Sequence, residues 1–256
     1  MSVRGRPLPG PIYAIADALA LAPMPVAAAV AEMAAAGVRS IQIRAKRWSG
    51  RQWHEAVEAS CRALEGSGAD LWLDDRADLA ALFAAAGVRG LHVGQCDLPP
   101  AAARRALGDS PWIGLSTHNE LQLIAADADP EVDLIAVGPV FPTTGKTRSD
   151  RSGSSDRSGP SGPPLPPDQP VGLEFVTWAR SRTAKPLVAI GGIDASRVEP
   201  VLAAGADAVV ALGAACRGDV RASCRQLVTA AEEAAAAWGR MRARTGNSEG
   251  GACGSS

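Results

Sequence analysis

This chain contains three lysines, Lys46, Lys146 and Lys185, among 26 basic residues. A sequence that uses arginine almost everywhere keeps Lys46 and Lys146 beside apolar runs with the length of strands. Lys46 closes the run Ile41-Gln42-Ile43-Arg44-Ala45-Lys46, in which apolar and polar residues alternate. A period of two puts Gln42, Arg44 and Lys46 on one face of a strand and the isoleucines on the other. Cations on an inward face are costly unless an anion meets them. An ammonium is a common phosphate partner, and a guanidinium adds a planar fork of donors. The cluster reads as an anion site.

Carboxylates stand at matching places. Asp74 and Asp75 end one apolar run, and Asp97 follows another in His92-Val93-Gly94-Gln95-Cys96-Asp97. Aspartates from neighbouring strands can share a Mg²⁺, which takes oxygen ligands and keeps waters and substrate phosphates in its shell. Asp75 and Asp97 are the expected ligands, and no His/Cys constellation with zinc spacing competes. With Arg76 and Asp78, Asp75 also fits the start of a helix. Gly191-Gly192 and Leu212-Gly213 end two later runs, where backbone N–H groups can approach a phosphate. Ser116-Thr117-His118 ends a further one. His118 suits an acid–base role or a hydrogen-bonded loop equally well. Cys96 reads as an incidental free thiol.

These residues need strands to carry them. The segment 34–43 (AAAGVRSIQI) recurs as 84–93 (AAAGVRGLHV), and more loosely as 203–212. Each copy reads as a helix closed by glycine at its C′ position and followed by a buried strand. Eight strands are expected, at 12–17, 40–45, 70–75, 90–95, 112–117, 134–140, 186–191 and 208–214. Alternation with helices implies a parallel sheet. Eight such units predict a closed (β/α)₈ barrel rather than an open doubly wound sheet, since no GxGxxG follows the first strand. Residues 1–240 are expected to form this one domain. The Ser/Gly/Pro-rich stretch 147–170 reads as a disordered insertion and 241–256 as a flexible tail. The tryptophans and Tyr13 are expected to pack the barrel.

Composition narrows the classes. With 256 residues and 46% hydrophobic content, the chain can bury one large core. A net charge of −1 argues against a sequence-independent grip on nucleic acid. The Ala-rich N-terminal third is broken by Asp17, Pro23, Pro25 and Glu32, so no membrane span is expected there. Five cysteines without a CxxC pair read as reduced thiols in a cytoplasmic protein.

Taken in order, these blocks resemble the thiamine phosphate synthases: 41–46 (IQIRAK), 74–79 (DDRADL), 92–99 (HVGQCDLP), 114–118 (GLSTH), 138–143 (GPVFPT) and 189–193 (AIGGI). The resemblance covers nearly the whole chain outside the insertion and tail. It implies coupling of a hydroxymethylpyrimidine diphosphate to a thiazole phosphate, giving thiamine phosphate and pyrophosphate with Mg²⁺ as cofactor. Small-molecule substrates are the implied partners, and self-association stays open. Carried over by position, Gln42, Arg44 and Lys46 would hold the diphosphate, and Asp74 and Ser116 would contact the pyrimidine. Asp75 and Asp97 would bind the metal, and Lys146 would neutralise the leaving group. Thr143, Gly192, Leu212 and Gly213 would hold the thiazole phosphate, with Thr144 and Gly145 in the same lining.

Three positions depart from the family pattern. Asp74 stands in place of a usual Asn, Gly145 in place of Thr, and Gly213 in place of Ser. A carboxylate accepts from an aminopyrimidine but cannot donate to a ring nitrogen. Two alternatives remain: a thiazole tautomerase of the same fold, for which His118 would suit, and a barrel that binds a phosphorylated ligand without turnover. The tautomerase branch tends to lose the carboxylate found here as Asp97.

Overall fold

The computed structural model describes residues 7–143 and 169–246, with side chains up to 237. Eight strands close into one parallel barrel in sequence order. They are β1 (Ile12–Asp17), β2 (Ser40–Arg44), β3 (Asp70–Asp74), β4 (Val88–Val93), β5 (Trp112–Thr117), β6 (Leu134–Val137), β7 (Leu187–Ile190) and β8 (Ala208–Ala211). Helices α1 (Ala18–Leu21) and α2 (Val26–Ala35) follow β1, and α3 (Gly50–Ala63), α4 (Ala77–Leu82), α5 (Pro100–Leu107) and α6 (Glu120–Ala128) follow the next four strands. Helix α7 (Gly172–Arg180) comes before β7, α8 (Ala195–Ala203) before β8, and α9 (Val220–Gly246) last.

All eight expected strands are present, several shorter than the sequence suggested. The run after β6 ends at Gly138-Pro139, because proline has no N–H for the ladder. Beyond β7, Gly191 and Gly192 turn left-handed, at φ 105° and 66°. Residues after β8 coil into a turn in which Cys216 N–H donates to Leu212 O at 3.0 Å. The repeats close as expected at 37: Gly37 has φ 100°, and Gly37 N and Val38 N donate to Ala34 O and Met33 O. That is a Schellman cap. In the second copy the helix stops at Leu82 and turns fill the gap to Gly87. The tail was expected from 241, but α9 continues to Gly246. Ala, Met and Arg there are strong helix formers.

Side chains alternate between lumen and outer shell. Tyr13, Ile15, Trp72, Trp112, Leu134, Ala136, Val188, Ala208 and Val210 form the cluster inside the barrel. Tyr13 and Trp72 lie with ring centroids 5.4 Å apart, and Trp72 meets Trp112 edge-on at 6.0 Å. Gly90 makes this possible, since a Cβ there would sit 2.2 Å from the Trp72 ring. The opposite parity, with Ile41, Ile43, Leu71, Leu73 and Val209 among others, packs against the helices. The lower lumen is thus a solid aromatic and aliphatic plug, and polar groups are left to the upper end.

The expected disorder of 147–170 falls almost entirely outside the described residues. The chain resumes beside the place it left, with Val171 N–H donating to Pro139 O at 2.7 Å and Gly172 N–H to Val140 O at 3.2 Å. Among the described residues no helix is long and apolar enough to cross a membrane.

Candidate active site

The polar residues of the lumen parity collect at the C-terminal ends of β1 to β5. Tyr13 Oη donates to Gln42 Oε1 at 3.0 Å, and Gln42 Nε2 donates to Asp74 Oδ1 at 3.0 Å. This buried chain runs across β1, β2 and β3 and fixes which way the Gln42 amide faces. Arg44 Nη1 lies 2.5 Å from Asp17 Oδ2, and Arg44 Nε is 3.6 Å from Asp74 Oδ2. The other Asp17 oxygen accepts from Leu19 N and Ala20 N, so the same carboxylate caps α1. Lys46 Nζ is 2.9 Å from Asp74 Oδ2 and also bonds Asp75 Oδ2.

Asp75 is unusual in two ways. Among the described residues it alone departs from glycine in adopting a positive φ, 61°. Asp tolerates this region better than most residues, and local strain of this kind concentrates at functional sites. Its N–H donates to His92 O at 3.0 Å, which holds the turn to the next strand. Burial, and then the Asp74 charge, push its carboxyl up to about 7, against the lowering effect of Lys46; Asp97 adds a smaller push in the same direction. The helix-start role belongs instead to Asp78, which lies in the first turn of α4 and pairs with Arg76 at 2.6 Å. Burial would lower the Lys46 ammonium, but Asp74 and Asp75 outweigh it and raise its pKa.

Asp97 is exposed, and its Oδ2 accepts from Gly94 N–H at 2.8 Å. Asp75 and Asp97 stand just after the adjacent strands β3 and β4, and the Asp97 charge adds to the rise of the Asp75 carboxyl. Among the described residues no group of three or more His, Cys, Asp or Glu forms a complete metal cage. A hard cation bound through one or two carboxylates, with waters and substrate oxygens completing its shell, needs no such cage. The two carboxylates fit Mg²⁺ in donor type and in negative charge.

Ser116 connects to this group through a residue to which the sequence reading gave no role. His92 Nε2 lies 2.8 Å from Ser116 Oγ, while its Nδ1 is buried without a partner among the described residues. Gly114 leaves space for the ring, since a Cβ there would come 2.6 Å from Nδ1. Burial drives the imidazole down to about 4, against the opposing pull of Asp74. His92 therefore stays neutral at neutral pH. The available signal was parity: Gly90 and His92 share one face of β4, and they sit in register with Trp72 and Asp74. The weighed candidate, His118, has Nδ1 at 2.6 Å from Gly138 O.

The remaining expected residues lie across the mouth. Val140 N and Phe141 N donate to Ile190 O and Gly191 O, so the chain leading to exposed Thr143 runs along the end of β7. The approach is tight: Cβ atoms at Gly191 and Gly192 would fall 2.5 Å from Pro139 Cα and 2.6 Å from Pro142 O. Arg197, also unforeseen, fastens these loops together. Its Nη1 donates to Gly192 O at 2.5 Å, and its guanidinium lies 4.7 Å from the centre of the Phe141 ring. Leu212 packs on the lumen cluster and Gly213 is exposed beyond it. Thr144, Gly145 and Lys146 lie outside the described residues. Cys96 is an exposed free thiol, as expected.

Comparison with known proteins bears on this arrangement. The family described as thiamine monophosphate synthase matches residues 12–156 and 164–215. The thiamine-phosphate synthase of Koribacter versatilis is 40% identical over 205 residues, covering 78% of this chain and 86% of that protein. The thiamine-phosphate synthase of Azorhizobium caulinodans is 34% identical over 222 residues, covering 86% and 94%. Among solved structures, the thiamine phosphate pyrophosphorylase of Pyrococcus furiosus superposes with a TM-score of 0.70 at 24% identity, covering 87% of this chain and 96% of that one. The last likeness speaks to the fold alone.

Proposed function

The chain belongs to the thiamine monophosphate synthase family, and we propose from that premise how its barrel mouth does the family's chemistry. It is a transferase that joins 4-amino-2-methyl-5-(diphosphooxymethyl)pyrimidine to 4-methyl-5-(2-phosphooxyethyl)thiazole. The products are thiamine phosphate and pyrophosphate.

The observation that carries the site assignment is the set of cations and carboxylates on adjacent strand ends, Arg44 and Lys46 against Asp17, Asp74 and Asp75. Such a mouth suits a reaction in which an anion departs. The bond between the pyrimidine methylene carbon and the diphosphate oxygen breaks, and its electron pair leaves with pyrophosphate. The thiazole nitrogen lone pair then forms the new bond to that carbon. Arg44 and Lys46 hold the diphosphate and stabilise the charge that grows on it, an effect strongest where water is excluded. Gln42, held by Tyr13 and Asp74, offers its remaining amide hydrogen to the substrate. Mg²⁺ bound through Asp75 and Asp97 would supply further neutralisation of the leaving pyrophosphate.

Asp74 contributes an acceptor to the pyrimidine amino group, not a donor to its ring nitrogen. Neutral His92 steadies the Ser116 hydroxyl beside the same ring. Thr143, Gly192, Leu212 and Gly213 receive the thiazole phosphate on the opposite side, so the two substrates meet across the lumen. Holding them in line supplies most of the remaining rate enhancement. Lys146 is assigned to the pyrophosphate from the sequence pattern. The enzyme is expected in the cytoplasm, where both small-molecule substrates would be made.

The decisive measurement is thiamine phosphate formation from the two substrates, with Mg²⁺ and with excess chelator. Product that depends on the metal supports the reading. Absence of product with continued isomerisation of the thiazole phosphate would overturn it in favour of a tautomerase.

A further inference from the structure

We propose that Arg217 grips the phosphate of the thiazole substrate, taking the place of the side chain that Gly213 lacks; this rests on the assignment of the thiazole phosphate to the mouth between β7 and β8. The residues assigned there offer a hydroxyl from Thr143 and backbone N–H groups, all neutral. A phosphomonoester dianion is held far better where a charged donor joins such groups.

Arg217 is placed to provide it. A Cβ built on Gly213 would have Arg217 Nη2 as its nearest neighbour, at 3.8 Å, and no other atom within 4 Å. The guanidinium tip therefore lies over the top of β8, in the volume that a side chain at 213 would enter. The turn that folds it back is fixed by Cys216 N–H donating to Leu212 O and by Ser223 Oγ donating to Arg217 O at 2.8 Å. Its side chain is exposed, and among the described residues its guanidinium has neither an ion pair nor a hydrogen bond. The nearest carboxylate in sequence, Asp219, is engaged as the cap of α9 through Ala222 N at 2.9 Å.

Among the described residues, the three other cations to which a role at the mouth is given are committed. Arg44 faces Asp17 and Asp74, and Lys46 faces Asp74 and Asp75. Arg197 holds Gly192 O and the Phe141 ring, which makes it a positioning residue for the glycine turn. Among the described residues, Arg217 is the guanidinium left to meet an incoming anion on the β8 side.

The test is calorimetric titration of the full chain with 4-methyl-5-(2-phosphooxyethyl)thiazole and, separately, with its unphosphorylated alcohol. Arg217→Gln should weaken the phosphate ester by roughly 10- to 100-fold, the scale of a lost charge-assisted hydrogen bond, and leave the alcohol unchanged. KM for the pyrimidine diphosphate should stay the same, and Gly213→Ser in the Arg217→Gln background should recover part of the lost affinity. Unchanged affinity for the phosphate ester in Arg217→Gln would overturn the proposal. So would an equal loss for ester and alcohol, or no binding of the ester to the unaltered chain. Arg217-dependent binding of the ester without thiamine phosphate formation would instead retain this phosphate grip and refute the activity.

Discussion

Asp97 holds its own loop through Gly94 N–H, and its side chain is exposed. Asp97→Asn keeps an acceptor for that N–H and removes only the charge. Mg²⁺-dependent turnover should then fall by roughly a hundredfold, the scale of losing one charge-stabilising group, with thermal stability nearly unchanged. Full activity in a magnesium titration of this variant would remove Asp97 from the metal site. His92 carries a different consequence. Its folded value of about 4 lies below the ordinary 6.5, so between those values the unfolded chain binds a proton that the folded one refuses. The stability contributed by the neutral ring is complete above pH 6.5 and is lost as pH falls toward 4, by up to roughly 3 kcal/mol. Urea unfolding of His92→Gln and of the unaltered chain should diverge most above pH 6.5 and converge near pH 4. A constant gap across that range would show that His92 does not titrate as described.

Among the elements, β4 and α3 show how local sequence serves the site. Gly90 admits the Trp72 ring, which meets Tyr13 and Trp112 and sits in register with Gln42 on the neighbouring strand. Gly90→Ala must displace that ring, and overpacking of this kind costs about 1–3 kcal/mol. Equilibrium unfolding should show the loss, and KM for the pyrimidine diphosphate should rise as the strand partner of Gln42 shifts. Helix α3 begins with a capping box in which Ser49 Oγ accepts from Gln52 N and the Gln52 side chain reaches back to Ser49 N. Trp53 Nε1 donates from its first turn to Ala45 O, one residue before Lys46. Ser49→Ala should therefore cost about 1 kcal/mol and loosen the end of β2. A urea midpoint equal to that of the unaltered chain would argue that the cap is dispensable.

For the whole molecule, closure of the barrel is what brings the two substrate halves together. β8 returns to pair with β1, with Val209 N–H donating to Pro11 O at 2.9 Å. Helix α9 seals the seam from outside: Arg225 Nη1 reaches Ala36 O, and Arg221 pairs with Glu32. The described chain resumes beside the place it left, with Val171 N–H donating to Pro139 O. If the Ser/Gly/Pro-rich stretch is the insertion its composition suggests, deleting 150–166 should leave the unfolding transition within a few degrees, since shortening a loop changes closure entropy by only about 0.6 kcal/mol per halving. A collapsed or broadened transition would mean that the segment packs on the barrel.

The amino-acid sequence by itself determined the strands, their order and the parity of their residues. Those depend on local periodicity, on glycine at helix ends and on proline where a ladder must stop. The inward placing of Gln42, Arg44 and Lys46 followed from the period-two alternation of β2, and that of Asp74 and Asp75 from their position at the polar end of an apolar run. Residues 144–146 were assigned only through a family pattern and lie outside the described residues. What the tertiary structure decided was which side chains meet. Asp17 on Arg44, His92 beneath Ser116, Arg197 on Gly192 and Arg217 above Gly213 join residues 5 to 27 positions apart, or only four in the last case, through strand register and turn direction. Parity says that a residue faces inward, but not which neighbour it finds at that height. Barrel register sets that height, and register is fixed only when all eight strands close.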